Sequence, residues 1–393
     1  MGRLVALAAV ALTFAAPASA PASPGMAVGA AEDSAKSASL LQAKTKMDLA
    51  KLAGLQAIRL TAQWRRGETA PTSVELAVLK NAVDAADLDS ITVYLSVYPS
   101  GSSQTPRTAA ARADFVAYAT AVAKALPTVQ RFIVGNEPNL NRFWLPQFSK
   151  RGVDVGAPAY QFLLAQTYDA LKAVSPTITV IGGALSPRGN DSILSRKHSP
   201  TTFIRDLGLA YRNSGRTKPI MDAFSLHPYE DNSSIPPSFA HPRTTTISLA
   251  DYPKLVSLLG SAFDGTAQLG SGLPIVYDEF GVQSQIPSRK AGVYAGLVPR
   301  SDRPVSESTQ ASYYAQALAM AACQPTVTAL LLFHVSDEPD LDRWQSGVFY
   351  ADDTPKTSLP VVQRAIGSLR TTGVPSCNAA GIRAFAARSL AAR

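Results

Sequence analysis

Stretches with a two-residue apolar period alternate with stretches of helical period, eight times over, and nothing else constrains this chain as strongly. The alternation predicts strands over Met26–Asp33, Ala57–Trp64, Ile91–Pro99, Arg131–Glu137, Thr179–Ser186, Asp222–Tyr229, Pro274–Phe280 and Thr328–Val335. It predicts helices over Ser39–Ala53, Ser73–Ala86, Ala110–Leu126, Ala159–Val174, Thr202–Ser214, Leu249–Phe263, Ser308–Ala322 and Leu359–Arg370. Strand followed by helix implies parallel pairing, and eight such units imply a closed (β/α)8 TIM barrel. A doubly wound open sheet is the alternative, but it would normally open with a glycine-rich phosphate turn, and the first strand–helix junction has none. In Ala57–Trp64, Ile58 and Leu60 fall on one face and Arg59, Thr61 and Gln63 on the other. Closure therefore turns the aliphatic face to the helices and the polar or small face inward.

Before the first strand, Arg3 and the apolar run Leu4–Ala16 are followed by small residues and prolines. That is the pattern of a secretory signal, cleaved after Ala18 or Ala22, and the run is too short to span a bilayer. The expected organisation is a signal over 1–22, one barrel over 23–376 and a loosely held basic tail over 377–393. Export suits the two cysteines, Cys323 and Cys377, as a single disulfide. Two unrelated buried thiols are the alternative. In a barrel, however, both positions fall at its lower face on neighbouring helices, and closing that loop contributes about 4 kcal/mol.

The net charge of +8 becomes +7 once Arg3 is removed. Six basic and no acidic residues follow Asp353, which reads either as a solvated tail or as a weak attraction to an acidic cell-surface polymer. No basic stripe interleaved with aromatics marks a nucleic-acid partner. Nothing in the sequence requires a cofactor or metal, and a monomer is the simplest expectation.

Chemistry in such barrels sits at the carboxyl ends of the strands. There the chain places Arg59, Asn136, Glu137, His227, Tyr229, Glu279, His334, Asp337 and Glu338, with no nucleophile elbow and no phosphate loop. Glu137 ends the fourth strand and Glu279 the seventh, so the two can face each other across the mouth. One carboxylic acid and one carboxylate are what glycosidic bond cleavage needs. Asp278, of opposite parity, is expected to pair behind the sheet. Glu338–Pro339 mimics Glu137–Pro138, but it lies four residues beyond His334 and is expected to order a loop. His198 and His241, in polar loops, are expected to be solvated.

The run Asn136–Glu137–Pro138, the strand Tyr277–Gly281 and the run Phe224–Tyr229 together resemble the large clan of retaining glycoside hydrolases with catalytic glutamates on strands four and seven, nearest to its cellulase-like and xylosidase-like members. The resemblance implies that Glu137 is the acid/base and Glu279 the nucleophile of a retaining glycosidase acting on an oligosaccharide or polysaccharide. It implies that Asn136 donates to the sugar 2-hydroxyl, that Arg59 keeps the nucleophile ionised, and that His227 and Tyr229 line the cleavage subsite, with His334 as a further candidate contact. Members often carry a tryptophan on strand eight, where this chain has Leu330–His334; Trp344 or Trp144 would substitute from a loop. A transglycosylase using the same site, or a catalytically silent sugar-binding barrel, is the alternative.

Overall fold

The computed structural model describes residues 25–391, so the secretory signal expected over 1–22 lies outside the described residues. Eight parallel strands close into a barrel in chain order: β1 (Ala27–Ala31), β2 (Ala57–Trp64), β3 (Thr92–Pro99), β4 (Arg131–Val134), β5 (Thr179–Leu185), β6 (Ala223–Leu226), β7 (Ile275–Phe280) and β8 (Val327–Phe333). β1 pairs with β8 as well as β2, so the sheet has no edge. Helices α1 (Leu40–Leu52), α2 (Ser73–Leu88), α3 (Ala109–Ala125), α4 (Gly156–Val174), α5 (Pro200–Asn213), α6 (Tyr252–Phe263), α7 (Glu307–Ala322) and α8 (Leu359–Thr371) each follow their strand. The predicted (β/α)8 architecture is the one observed.

Local chemistry sets the helix starts. Ser39, Thr72, Thr108, Ser199 and Ser306 each sit at an N-cap, and their hydroxyls accept from a backbone N–H in the first turn. The strand faces divide as the alternation requires. Ile58, Leu60, Leu95 and Val97 join the large outer core against the helices. Ala57, Tyr94, Ile133, Ile181, Ala184, Ala223, Val276, Ala329 and Leu331 form a separate inner core. An eight-stranded barrel has room for little more than small and branched side chains. At Gly29 even a Cβ would lie 2.4 Å from the Ala57 carbonyl oxygen.

The region expected to be a loose tail is structured. Ala379–Ala391 forms a ninth helix, α9, which packs on α7 and α8 and buries Phe385 and Ala386. Cys323, capping α7, is bonded to Cys377 just before α9, with Cα atoms 5.4 Å apart. Part of this basic stretch is used by the fold: Lys356 is buried, Arg364 donates to the Ser389 carbonyl, and the exposed Arg370 donates to that of Gly54. No helix of the described residues is long and apolar enough to cross a membrane.

Candidate active site

Arg59 on β2 and the carboxyl ends of β4, β6 and β7 deliver one connected cluster of charges. Beyond Val134 the chain leaves the sheet through Gly135, at φ +99, and Glu137, at φ +42. Both conformations lie in the left-handed region, which for a glutamate is uncommon and marks a position fixed by its surroundings. Glycine is required at 135: a Cβ there would meet the Tyr160 ring at 2.9 Å, and Tyr160 Oη donates to the Val134 carbonyl at 2.7 Å. The Glu137 N–H donates to the Ala184 carbonyl at 2.7 Å, which fixes its side chain at the mouth.

On β7 the alternation breaks. Tyr277 and Phe280 both join the outer core, and the register against β8 shifts between them. The irregularity brings Glu279 to the mouth while Asp278 stays deep inside the barrel, on the same face as Val276. Asp278 therefore does not pair behind the sheet, as strict parity predicted. It faces two cations: Arg59 Nε lies 3.3 Å from its Oδ2 and His227 Nε2 3.2 Å from its Oδ1, and Ser225 Oγ also donates to Oδ1.

Arg59 joins the two halves of the site. One guanidinium nitrogen contacts Glu279 Oε1; the other donates to Asn136 Oδ1 at 2.8 Å and to Ser96 Oγ at 3.2 Å. Burial works against its charge, but Glu279 and Asp278 outweigh burial and hold it above its ordinary pKa. Asn136 Nδ2 makes no hydrogen bond among the described residues, so it is free to donate to a ligand hydroxyl.

His227 is fully buried at the centre. Its Nδ1 lies 3.1 Å from Glu137 Oε1 and 3.4 Å from Glu279 Oε2. Burial disfavours the charged ring, yet Glu279, Asp278 and Glu137 together push its pKa up to about 10. At neutral pH the imidazolium hydrogen-bonds Glu137 through Nδ1 in front, while Nε2 faces Asp278 behind as an ion-pair partner without a formed hydrogen bond. Its charge and that of Arg59 hold Asp278 below the usual carboxylate range, against the opposing effect of burial. Tyr229 Oη donates to Glu279 Oε2 at 3.1 Å; burial and the neighbouring carboxylates keep the phenol neutral.

The predicted aromatic platforms separate. Trp344 comes to the mouth from the loop after β8, with its ring 4.9 Å from that of Tyr229 and 5.3 Å from that of Phe333. Trp144 does not. It is 2% exposed and packs edge-on against Tyr160 in the outer core, where no sugar can reach it. His334 is half-buried; its Nδ1 lies 2.7 Å from the Ala31 carbonyl and its Nε2 3.8 Å from Glu338. Burial opposes its charge, but these partners and Glu32 push its pKa up to about 9. Glu338 accepts from the Trp344 N–H at 3.1 Å, the loop-ordering role expected of it.

His198 and His241, expected to be solvated, are both buried: His198 lies against Asp154 at 3.2 Å, and His241 against Asp251 at 3.1 Å. Among the described residues no group of three or more His, Cys, Asp or Glu is arranged to hold a metal. Beside the carboxylates, a cavity of about 300 Å³ opens between the loops after β5, β6, β7 and β8, lined by Tyr229, Trp344, Gln283, Arg188 and Asp302 among others.

Missed at the level of sequence were the inward role of Asp278 and a buried pair behind Trp344. There Lys356 Nζ lies 2.7 Å from Asp337 Oδ1 and donates to Ser284 Oγ and the Gln345 carbonyl. Neither had a signal in the sequence: Asp278 turns inward at a register shift between β7 and β8, and Lys356 reads as one of the tail's cations.

No protein-family model and no curated protein matches this chain. Solved structures do. The chain is similar to the GH39 enzyme from Xanthomonas axonopodis pv. citri, at 15% identity and TM-score 0.54, covering 88% of this chain and 66% of that one. It is similar to a monomeric β-xylosidase from Caulobacter crescentus CB15, at 17% identity and TM-score 0.54, covering 89% and 69%. A glucosidase from Croceicoccus marinus matches at 12% identity and TM-score 0.60, covering 89% and 68%. The chain spans 35% of the length of a Bacteroides uniformis β-glucuronidase that it also resembles. Identities this low establish a shared fold: the chain has the (β/α)8 barrel found in these glycoside hydrolases.

Proposed function

We propose that the protein is an exported glycosidase that cleaves a glycosidic bond with retention of configuration. One observation carries the reading. Glu137 Oε1 and Glu279 Oε2 lie 3.1 and 3.4 Å from the same His227 nitrogen, so these oxygens are at most about 6.5 Å apart, which admits the separation of about 5–5.5 Å needed for direct attack and excludes nearly all of the longer inverting range.

In this mechanism Glu279, aligned by Arg59 and Tyr229, forms a bond to the anomeric carbon as the bond to the leaving oxygen breaks. Glu137 gives that oxygen a proton. Glu137, now a carboxylate, then takes a proton from water, whose oxygen attacks the anomeric carbon and frees Glu279. Asn136 donates to the 2-hydroxyl of the sugar, and Trp344 with Tyr229 forms an apolar wall for the ring. His227, charged and beside both glutamates, stabilises whichever of them is anionic at each stage. The Cys323–Cys377 bond and the amino-terminal sequence support export. A carbohydrate partner follows from the proposed reaction, and the sugar and its linkage are to be found by screening aryl glycosides and cell-wall polysaccharides.

The test is a pair of variants on a glycoside found by that screen. Glu279→Ala abolishes turnover, and azide restores it with an inverted product. Glu137→Ala spares substrates with good leaving groups and loses those with poor ones. Wild-type activity in both variants would refute the assignment.

A further inference from the structure

Three consecutive loops on the carboxyl-end rim of the barrel, those after β5, β6 and β7, each carry a large apolar side chain at an exposed position. Leu194 is 95% exposed, Phe239 51% and Leu297 85%. Neighbours extend two of the tips, with Ile193 beside Leu194 and Val298 beside Leu297. Scattered apolar residues are ordinary on a surface, but three protruding from adjacent loops around one opening are not scattered.

The same loops carry cations that the fold does not use. Arg196 and Lys197 follow Leu194, Arg243 follows Phe239, and Arg300 and Arg303 follow Leu297; all but Lys197 are exposed, and none has an ion-pair partner among the described residues. Of the acids on these loops, Glu230 is buried 3.7 Å from His241 and the others are engaged. Asp191 accepts from the Ser199 N–H at 2.8 Å, Asp231 lies 3.5 Å from Arg188, and Asp302 accepts from Gln283 Nε2 at 3.0 Å. The three loops thus present exposed hydrocarbon and, a few residues along the chain from each apolar tip, cations without an ion-pair partner among the described residues.

We propose that this rim docks on an anionic lipid bilayer, with Leu194, Phe239 and Leu297 entering the boundary between headgroups and acyl chains and the five cations meeting the anionic headgroups. Charge complementarity alone would suit any polyanion. The aliphatic tips decide between them, since branched hydrocarbon gains from leaving water for acyl chains and gains nothing from a hydrated acidic polysaccharide. Cations a few residues along the chain from apolar tips reach the headgroup plane as the tips enter, the arrangement long basic side chains adopt at a membrane interface. Docked in this way, the protein turns the mouth of its charged cluster toward the bilayer.

Co-sedimentation of the purified protein with vesicles tests this without reference to activity. Vesicles of phosphatidylcholine with phosphatidylglycerol are expected to retain the protein, and phosphatidylcholine alone to retain little. Leu194→Ser combined with Leu297→Ser lowers the partition coefficient by about tenfold or more, because two inserted leucines are lost. Arg196→Glu combined with Arg300→Glu lowers it by a similar factor and weakens its salt dependence. All four positions are exposed, so unchanged thermal unfolding will confirm that the variants fold. Absence of binding to phosphatidylglycerol vesicles overturns the proposal. So does binding that the serine variant retains in full, or equal retention of both proteins on an immobilised acidic polysaccharide, which would be adsorption to a polyanion.

Discussion

Replacing Lys356 by methionine removes one partner of an ion pair that is shut away from solvent at both ends. Burial holds Lys356 below its ordinary pKa and Asp337 above its own, so each charge is costly by itself and is tolerated only because the other is 2.7 Å away. In Lys356→Met the Asp337 carboxylate keeps two donors, the Tyr294 hydroxyl at 2.7 Å and the Gly347 N–H at 2.9 Å, but loses its counter-charge. Removing one member of such a pair costs about 3–5 kcal/mol. With an unfolding entropy near 2.1 cal/mol/K per residue, a loss of about 4 kcal/mol lowers the Tm of a chain this long by about 5 °C. Adding Asp337→Asn keeps an amide oxygen for the Gly347 N–H, turns an amide N–H toward the Tyr294 hydroxyl oxygen and removes the stranded charge, so the double variant recovers more than half of the loss. The pair also bridges Ser284, after β7, to Gln345, next to Trp344. On a substrate that binds against Trp344, the single variant therefore raises KM with little change in kcat, the signature of lost uniform binding. Differential scanning calorimetry with steady-state kinetics checks both parts. A single variant within 1 °C of wild type, or a double variant no more stable than the single, would refute the reasoning.

Two further outcomes follow from the same structure. His227 has its pKa raised from 6.5 to about 10, so its contribution is complete below pH 6.5 and is lost as pH rises through 10; on the order of 5 kcal/mol is at stake for this buried ring. The Tm of the wild type should fall more steeply between pH 7 and pH 10 than that of His227→Asn, and parallel slopes would sink the assignment. Cys323→Ser opens a loop whose ends are 54 residues apart and costs about 4 kcal/mol. It also frees α9, so limited proteolysis should cut first near residue 377; a protease-resistant terminus in this variant would show that α9 is held by packing on α7 and α8 alone.

The rows of charge at the mouth explain why the site tolerates so many carboxylates. Arg59 and His227 offset two of the three acids Glu137, Asp278 and Glu279, and each carboxylate touches at least one cation. Asp278 is the member with no access to the opening; it keeps both cations in place from beneath.

Sequence by itself determined the barrel, the order of its strands and the two glutamates at their tips. Strand and helix periods are local properties that survive in one dimension, and eight of each leave a single closed arrangement. The inward polar face of β2 followed from the same alternation, and counting helices put Cys323 and Cys377 within reach of each other. What only the tertiary structure decided were the departures from regular alternation and the loops. A bulge on β7 turned Asp278 inward and Glu279 to the mouth, and periodicity cannot register a break that depends on the neighbouring strand. Trp144 and Trp344 stand in loops of similar composition, yet packing against Tyr160 sent one into the core and contact with Tyr229 kept the other at the opening. Lys356 reads as one cation among several along the chain; its burial depends on Asp337, nineteen residues away across a folded loop. A carboxylate can be recognised from its place at a strand end, but its partners are settled by distances that the sequence does not contain.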